Sequence, residues 1–340
     1  MTSPKVSIII PNYNHARFLE KRLQSVLNQT YQDFEVIYLD DASTDNSNEV
    51  FSRFAGDKHI RAYFNKINSS SPFKQWNKGV ELASGEYIWI AESDDFADER
   101  FLEELVPHLD MNPEVGLAFC KSWQVDEQDN IIAAWEEWIA DLDKDRWREN
   151  FIGNGKEECK RHFTVGNTIA NASAVLIRRN IYEKAGYADE TMKICGDWLL
   201  WIKMLMLSDI AFVAKPLNYF RLHQNTVRKK TFTNGIRIKE DYRVLSYIAH
   251  YLEISEEALE QVCDRITSQW VNSMVSIAGW IPWRRNRSIY QVAQTMDPIL
   301  CSRLIKKMLL RIPRAIGRRL RIKRDKTRKS QWRIKHSKLK

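Results

Sequence analysis

The feature that most constrains this chain is a unit repeated along its first hundred residues. An apolar run ends in a polar or acidic break, and a segment with helical spacing follows. Lys5 to Ile10 is a β-branched run closed by Pro11-Asn12-Tyr13-Asn14, after which Leu19, Leu23, Val26 and Leu27 share one helical face. Phe34 to Leu39 reads as a second buried strand and stops at Asp40-Asp41-Ala42-Ser43-Thr44-Asp45. The next helix carries Val50, Phe51 and Phe54, with Ser43 or Thr44 as its N-cap. Ile60 to Phe64 is a third strand, Lys74 to Ser84 a helix stopped at Gly85, and Tyr87 to Ala91 a fourth strand. Such alternation predicts an α/β fold: a mostly parallel central sheet with helices on both faces. Ligands of these sheets bind outside the carboxyl ends of the strands.

Three of those strand ends are chemically loaded. The first carries Asn12-Tyr13-Asn14, the second Asp40-Asp41, and the fourth Glu92-Ser93-Asp94-Asp95. Carboxylates this close repel and raise one another's pKa, which a hard divalent cation, Mg²⁺ or Mn²⁺, would resolve. A solvated helix start, with Asp98 as the cap, is the plainer alternative. Neither G-x-G-x-x-G nor G-x-x-x-x-G-K-[ST] occurs in the chain. A phosphate bound here would therefore lean on a metal rather than on a glycine-rich loop.

The ordered motifs resemble family 2 glycosyltransferases of the GT-A fold. They are Val6 to Asn14, Asp40 to Asp45, Ala83 to Ile88, Ser93-Asp94-Asp95, Gly196-Asp197-Trp198-Leu199-Leu200-Trp201 and Arg221-Leu222-His223. The resemblance implies a nucleotide-sugar donor, a UDP-sugar foremost, and a divalent cation. It implies donor contacts from Pro11, Asn12, Tyr13, Asp40, Asp41, Asn77, Asp94 and Arg221, with Arg228 as a further diphosphate partner. Asp40 would accept from the imide N–H of the base. Asp95, Asp94 and His223 would hold the metal, Asp94 contacting metal or ribose. Glu92 stands where Asp is more usual in the family, and Trp76 where an Arg often precedes Asn77. Asp197 would be the general base of an inverting displacement, its plainer alternative being a cap on the helix that follows.

Twelve Trp are present, and Trp123, Trp135, Trp138 and Trp147 fall in a mixed stretch from Ser122 to Asn150. They suit either sugar stacking or the packing of an insertion. Five scattered Cys with no C-x-x-C argue against zinc and disulfides and for a reducing cytoplasm. No signal peptide and no run of roughly 18 apolar residues is read. Because the family's processive polymerases carry transmembrane helices and a Q-x-x-R-W segment, and neither is read here, the resemblance implies single-sugar transfer.

The expected organisation is 1–110 for donor binding, 111–230 for acceptor binding, 231–302 as a helical extension and 303–340 as a basic tail. Lys239 to Tyr290 reads as helical. The tail holds 17 Lys or Arg against one acid, whereas the whole chain carries only +8. Ile305, Leu309, Ile312, Ile316 and Leu320 lie near one helical face, with a kink at Pro313. A basic amphipathic segment points to an anionic membrane surface, with nucleic acid the less favoured partner. The reading is thus a cytoplasmic enzyme, peripheral on the inner face of the membrane. It would glycosylate a lipopolysaccharide or lipid-linked oligosaccharide. A non-catalytic binding protein on a degenerate transferase domain is the alternative. A nucleotidyltransferase is disfavoured because its Gly-rich, basic N-terminal loop is missing.

Overall fold

Four apolar runs become four neighbouring parallel strands: β1 (Val6–Asn12), β2 (Phe34–Asp40), β3 (Ile60–Phe64) and β4 (Tyr87–Ile90). The computed structural model describes residues 3–134, 143, 145–169, 171–223, 234–275 and 281–311. Strands β1 and β4 are buried along their whole length, as strands covered on both faces must be. The order is β3-β2-β1-β4. The chain steps outward from β1 to β3 and then returns to the other side of β1. The resulting switch point lies between β1 and β4, where ligands of open α/β sheets bind. Pairing sets Asn12 beside Asp40.

Helices cover both faces because alternate residues of each strand point opposite ways. Ile8 and Ile10 join one core with Leu19 and Leu23 of α1 (Ala16–Leu27), Phe51 of α2 (Ser47–Ser52) and Leu105 of α4 (Phe101–Asp110). Ile9 points the other way, against α3 (Pro72–Leu82). A Cβ on Gly79 of α3 would lie 2.4 Å from the Ile9 side chain.

The sheet continues through β9 (Val175–Arg178), β6 (Val115–Val125), β10 (Asp209–Arg221) and β5 (Phe96–Ala97). β7 (Ile131–Ala134) pairs with β6, and β8 (Phe151–Gly153) with β10. β6 and β10 are parallel, while β9 runs antiparallel to both β4 and β6. The sheet is therefore parallel over its first four strands and mixed beyond them, where the strand–helix alternation of the sequence lapses. Helices α5 (Gly155–Glu158), α6 (Arg179–Lys184) and α7 (Gly196–Leu205) complete this part.

Three local expectations are corrected. Helix α2 starts at Ser47, beyond the reach of a Ser43 or Thr44 cap, and the Ser43 hydroxyl instead meets Asn12 and the Asn14 amide. Asp98 accepts from the Arg100 amide ahead of α4 and does not cap it. Gly85 does not stop α3, which already ends at Leu82. A Cβ there would come within 2.6 Å of the Ser7 backbone nitrogen, so close backbone approach requires the glycine.

Among the described residues, those up to 223 together with 250–253 form one compact unit, and 234–249 with 254–311 form a second. The second contains α8 (Ile236–Tyr251) up to Ala249, α9 (Glu256–Val275), α10 (Trp283–Ala293) and helical residues 300–311. Its own core holds Tyr242, Leu245, Ile266, Trp270 and Ile289. The stretch expected to be helical from 239 to 290 is thus broken, around 252–255 and again at Pro282 before α10. Arg303 pairs with Asp297 and Asp264, and Lys307 with Asp264. The first basic residues of the tail are therefore anchored within this unit, while Ile305 and Leu309 are exposed. Residues 312–340, with Ile312, Pro313, Ile316 and Leu320, lie outside the described residues, as do Trp135 and Trp138. No helix among the described residues is long and apolar enough to cross a membrane.

Candidate functional site

The carboxyl ends of β1, β2 and β4 lie along one edge of the sheet, and the side chains there divide into those tied into the framework and those gathered around Asp94. Asp40 is 2% exposed. It accepts from Asn12 Nδ2 (2.9 Å), the Ser43 amide (2.8 Å) and the Tyr38 hydroxyl (3.3 Å). Asp41 accepts from Asn65 Nδ2 (2.6 Å), Gln75 Nε2 (2.9 Å), and the amide and hydroxyl of Ser69. Both acids hold the loops that follow β1, β2 and β3, the work Asp favours at turns. Asn14 assists from the left-handed region (φ 57°), its side-chain oxygen accepting from the Thr44 amide at 2.7 Å. Pro11 is buried opposite Leu39, whereas Tyr13 is 45% exposed.

At the end of β4 the acids separate in role. Asp95 is 2% exposed and accepts from the Ser173 hydroxyl (2.7 Å), the Arg221 amide (2.9 Å) and Asn171 Nδ2. Asp94 turns the other way and bonds His223 Nε2 at 2.9 Å. Glu92 accepts from the Trp76 indole N–H at 2.6 Å. Burial pushes the Asp95 carboxyl up, with the charge of Asp94 adding to it. Burial acts likewise on Asp94, but His15 and His223 outweigh it and hold that carboxyl down. Burial, then the Asp94 charge, lifts Glu92 to about 8.

Beneath the acids lies a cation that the motifs did not flag. Arg22 of α1 is fully buried, with its Nε donating to the Glu92 carbonyl at 2.8 Å. Burial lowers its guanidinium to about 10, resisted by Asp95, Asp94 and Glu92, so it stays charged at neutral pH. An Arg at an apolar position of α1, between Leu19 and Leu23, was the legible signal.

Asp94 and His223 gather with a residue that sequence reasoning missed, His15. One ligand atom from each of the three lies within 4.8 Å of the others. Two ligands each about 2.1 Å from one ion sit at most about 4.2 Å apart, so sub-ångström shifts would close this set on a cation. Asp95, expected as a metal ligand, is not in the trio and serves the framework.

Arg221, expected at the diphosphate, is 1% exposed and turned inward. It donates to the carbonyls of Asp94 and Asp126 at 2.8 Å, pairs with Asp129 and covers the Phe18 ring. Arg228 lies outside the described residues. Asn77 is buried and spent on the 182–190 segment: it donates to the Ala188 carbonyl and accepts from the Tyr182 hydroxyl and the Ala188 amide. Trp147 packs among Phe119, Phe151, Phe212 and His162, which makes it core rather than a sugar platform.

Asp197 sits in the first turn of α7, half-buried. The helix starts at Gly196 with Cys195 at the cap position, so Asp197 is not its cap. Asn167 Nδ2 donates to it at 3.1 Å. A Cβ on Gly196 would strike the Phe73 ring of α3 at 2.4 Å, and Trp201 stacks on Trp76. The helix bearing Asp197 is thus locked to the helix whose Trp76 holds Glu92.

Residues 7–186 match the family described as Glycosyl transferase family 2. The chain is 36% identical over 103 residues to "Glycosyltransferase GlyG" of Streptococcus pneumoniae, covering 30% of this chain and 34% of that protein. It is 27% identical over 248 residues to a glycosyltransferase of Rickettsia typhi, covering 72% of this chain and 70% of the other. Its structure resembles Staphylococcus aureus TarS 1–349 in complex with UDP-GlcNAc (TM-score 0.62, 17% identity, 89% of each chain). It also resembles the mannosyltransferase PcManGT of Pyrobaculum calidifontis in complex with GDP-Man and Mn²⁺ (TM-score 0.57, 15% identity, 91% and 87%). These likenesses establish the GT-A fold.

Proposed function

This chain belongs to glycosyl transferase family 2, and we propose that it transfers one sugar from a nucleotide-sugar donor to a glycan acceptor with inversion. What supports this reading is the bond between Asp94, just past the end of β4, and His223, just past the end of β10, since β4 flanks the switch point at which ligands of open α/β sheets bind. TarS with UDP-GlcNAc and PcManGT with GDP-Man support a nucleoside diphosphate sugar as donor, a UDP-sugar foremost. Tyr13, the exposed aromatic beside the Asp40 loop, stacks on the base. Asp40 and Asp41 keep that loop in shape for it.

Asp94 and His223 would hold a divalent cation, Mn²⁺ or Mg²⁺, which would offset the negative charge that develops on the leaving diphosphate. Asp197 takes the proton of the acceptor hydroxyl as that oxygen attacks the anomeric carbon. Asn167 orients the Asp197 carboxylate through its amide. The buried Arg22 eases the repulsion among the neighbouring acids, though burial still leaves Glu92 and Asp95 raised.

The acceptor we propose is a membrane-borne glycan, a lipopolysaccharide or lipid-linked oligosaccharide. A basic tail would hold the enzyme on the anionic inner leaflet. Screening nucleotide sugars by thermal shift, with Mn²⁺ and with chelator, tests the donor reading. A true donor at about 100 times its Kd stabilises by about 2.7 kcal/mol, and chelation abolishes the shift. A flat response to every nucleotide sugar would favour the degenerate, non-catalytic alternative.

A further inference from the structure

The loop between β1 and α1 brings a second imidazole to the crevice. His15 is the residue before α1. Its ring stands edge-on to His223, centroids 5.5 Å apart at 89°, and edge-on to Phe18 at 6.4 Å. Its Nδ1 bonds the Ser93 hydroxyl at 2.9 Å. The backbone there is pinned as well, since the Ala16 amide donates to Asp45 at 2.9 Å. The ring is thus oriented by contacts on two sides, in the way that hydrogen bonds to the far nitrogen orient metal-bound imidazoles. With Nδ1 engaged by Ser93, Nε2 is the nitrogen left for an ion.

We propose that His15 is a third protein ligand to the cation held by Asp94 and His223, and that it biases the site toward a first-row transition ion such as Mn²⁺ over Mg²⁺. This rests on the reading that Asp94 and His223 hold the donor's cation. The geometry is the close approach of the three ligand atoms, all within 4.8 Å of one another. The chemistry is the donor set. Mg²⁺ favours oxygen ligands and keeps its waters, whereas two imidazoles with one carboxylate is a facial arrangement that transition ions adopt with further positions open. Those positions suit diphosphate oxygens. A carboxylate with a single imidazole would discriminate less.

The test uses the full chain and the metal alone. Mn²⁺ binding is followed by loss of the free-ion electron paramagnetic resonance signal, with Mg²⁺ as competitor. Pulsed measurement of ¹⁴N couplings on bound Mn²⁺ counts the imidazoles. Wild type should show two bound imidazoles and yield Mn²⁺ only to at least tenfold more Mg²⁺. His15→Ala should leave one imidazole, weaken Mn²⁺ by about 10- to 100-fold and shrink the Mn²⁺/Mg²⁺ ratio. Asp94→Asn and His223→Ala serve as references. If these two lose Mn²⁺ while His15→Ala keeps its affinity and both imidazole couplings, His15 is only a wall of the site and the proposal fails. If wild type binds no Mn²⁺, or the two references bind it unchanged, the underlying metal reading fails instead.

Discussion

At the residue scale, neighbouring carboxylates of one cluster do different work because their partners differ. Asp95 satisfies three donors, the buried Ser173 hydroxyl and Arg221 amide and the half-buried Asn171 amide. Removing a partner from a buried donor costs about 1–3 kcal/mol. Asp95→Ala should therefore destabilise the protein by about 3 kcal/mol or more, read as a lower denaturation midpoint. Asp95→Asn, which keeps one acceptor oxygen, should cost less. A fully stable Asp95→Ala protein would show that these bonds contribute little. Asp197 is the opposite case, half-buried with Asn167 beside it and no capping duty. Asp197→Asn preserves its shape but cannot take a proton. It should keep donor affinity and lose turnover by about 10²-fold or more, measured as kcat beside donor Kd. Transfer near the wild-type rate would mean that the base lies elsewhere. The motif residues were legible in the sequence as a set, because Asn, Asp and Glu at strand ends are conspicuous. Which of them face inward was not. Asp40, Asp41 and Asp95 carry the same side chain as Asp94 and Asp197, and only their hydrogen-bond partners set the framework acids apart from the two we assign to the metal and the base.

At the element scale, close packing between α3, the sheet and α7 sets the geometry. Gly79 lets α3 lie on Ile9 of β1, and Gly196 lets α7 start against Phe73. A methyl at Gly79 would sit 2.4 Å from the Ile9 side chain. Gly79→Ala should cost about 1–3 kcal/mol by overpacking, offset in part by the better helix propensity of Ala. Because α3 also carries Trp76, this substitution should weaken donor binding as well. Gly56→Ala, where nothing lies within 4 Å, is the matched control and should be nearly neutral. Equal melting temperatures for the two variants would refute the packing argument. Strand and helix positions over the first ninety residues followed from periodicity, since β1 to β4 and α1 to α3 alternate in the expected order. The antiparallel insertion of β9 between β4 and β6 did not, because strand direction depends on partners far along the chain.

At the scale of the whole molecule, charge and anchoring divide along the chain. Arg303 and Lys307 are tied to Asp297 and Asp264 within the helical unit, so they are poor candidates for lipid contact. The basic residues beyond 311 carry the rest of the tail's charge. Each would contribute about 1 kcal/mol near an anionic leaflet, and salt screens the attraction. Deleting 312–340 should abolish binding to phosphatidylserine-containing vesicles while preserving transfer to a soluble acceptor analogue. Intact protein should bind neutral vesicles weakly and lose the anionic ones in high salt. Retained vesicle binding after the deletion would shift the docking role to exposed Ile305 and Leu309.

The sequence by itself determined the α/β alternation and the family, and it set the candidate site's acids at the carboxyl ends of β1, β2 and β4. These depend on local periodicity and on residues that are unusual where they stand. Only the tertiary structure decided that His15 meets Asp94 and His223, that Arg22 lies beneath the acids, and that Arg221 points inward. Those pairings join residues from about 70 to more than 100 positions apart. No local pattern encodes such a distance, because it is closed by the packing of α1 on the sheet and the return of β10 to its far half.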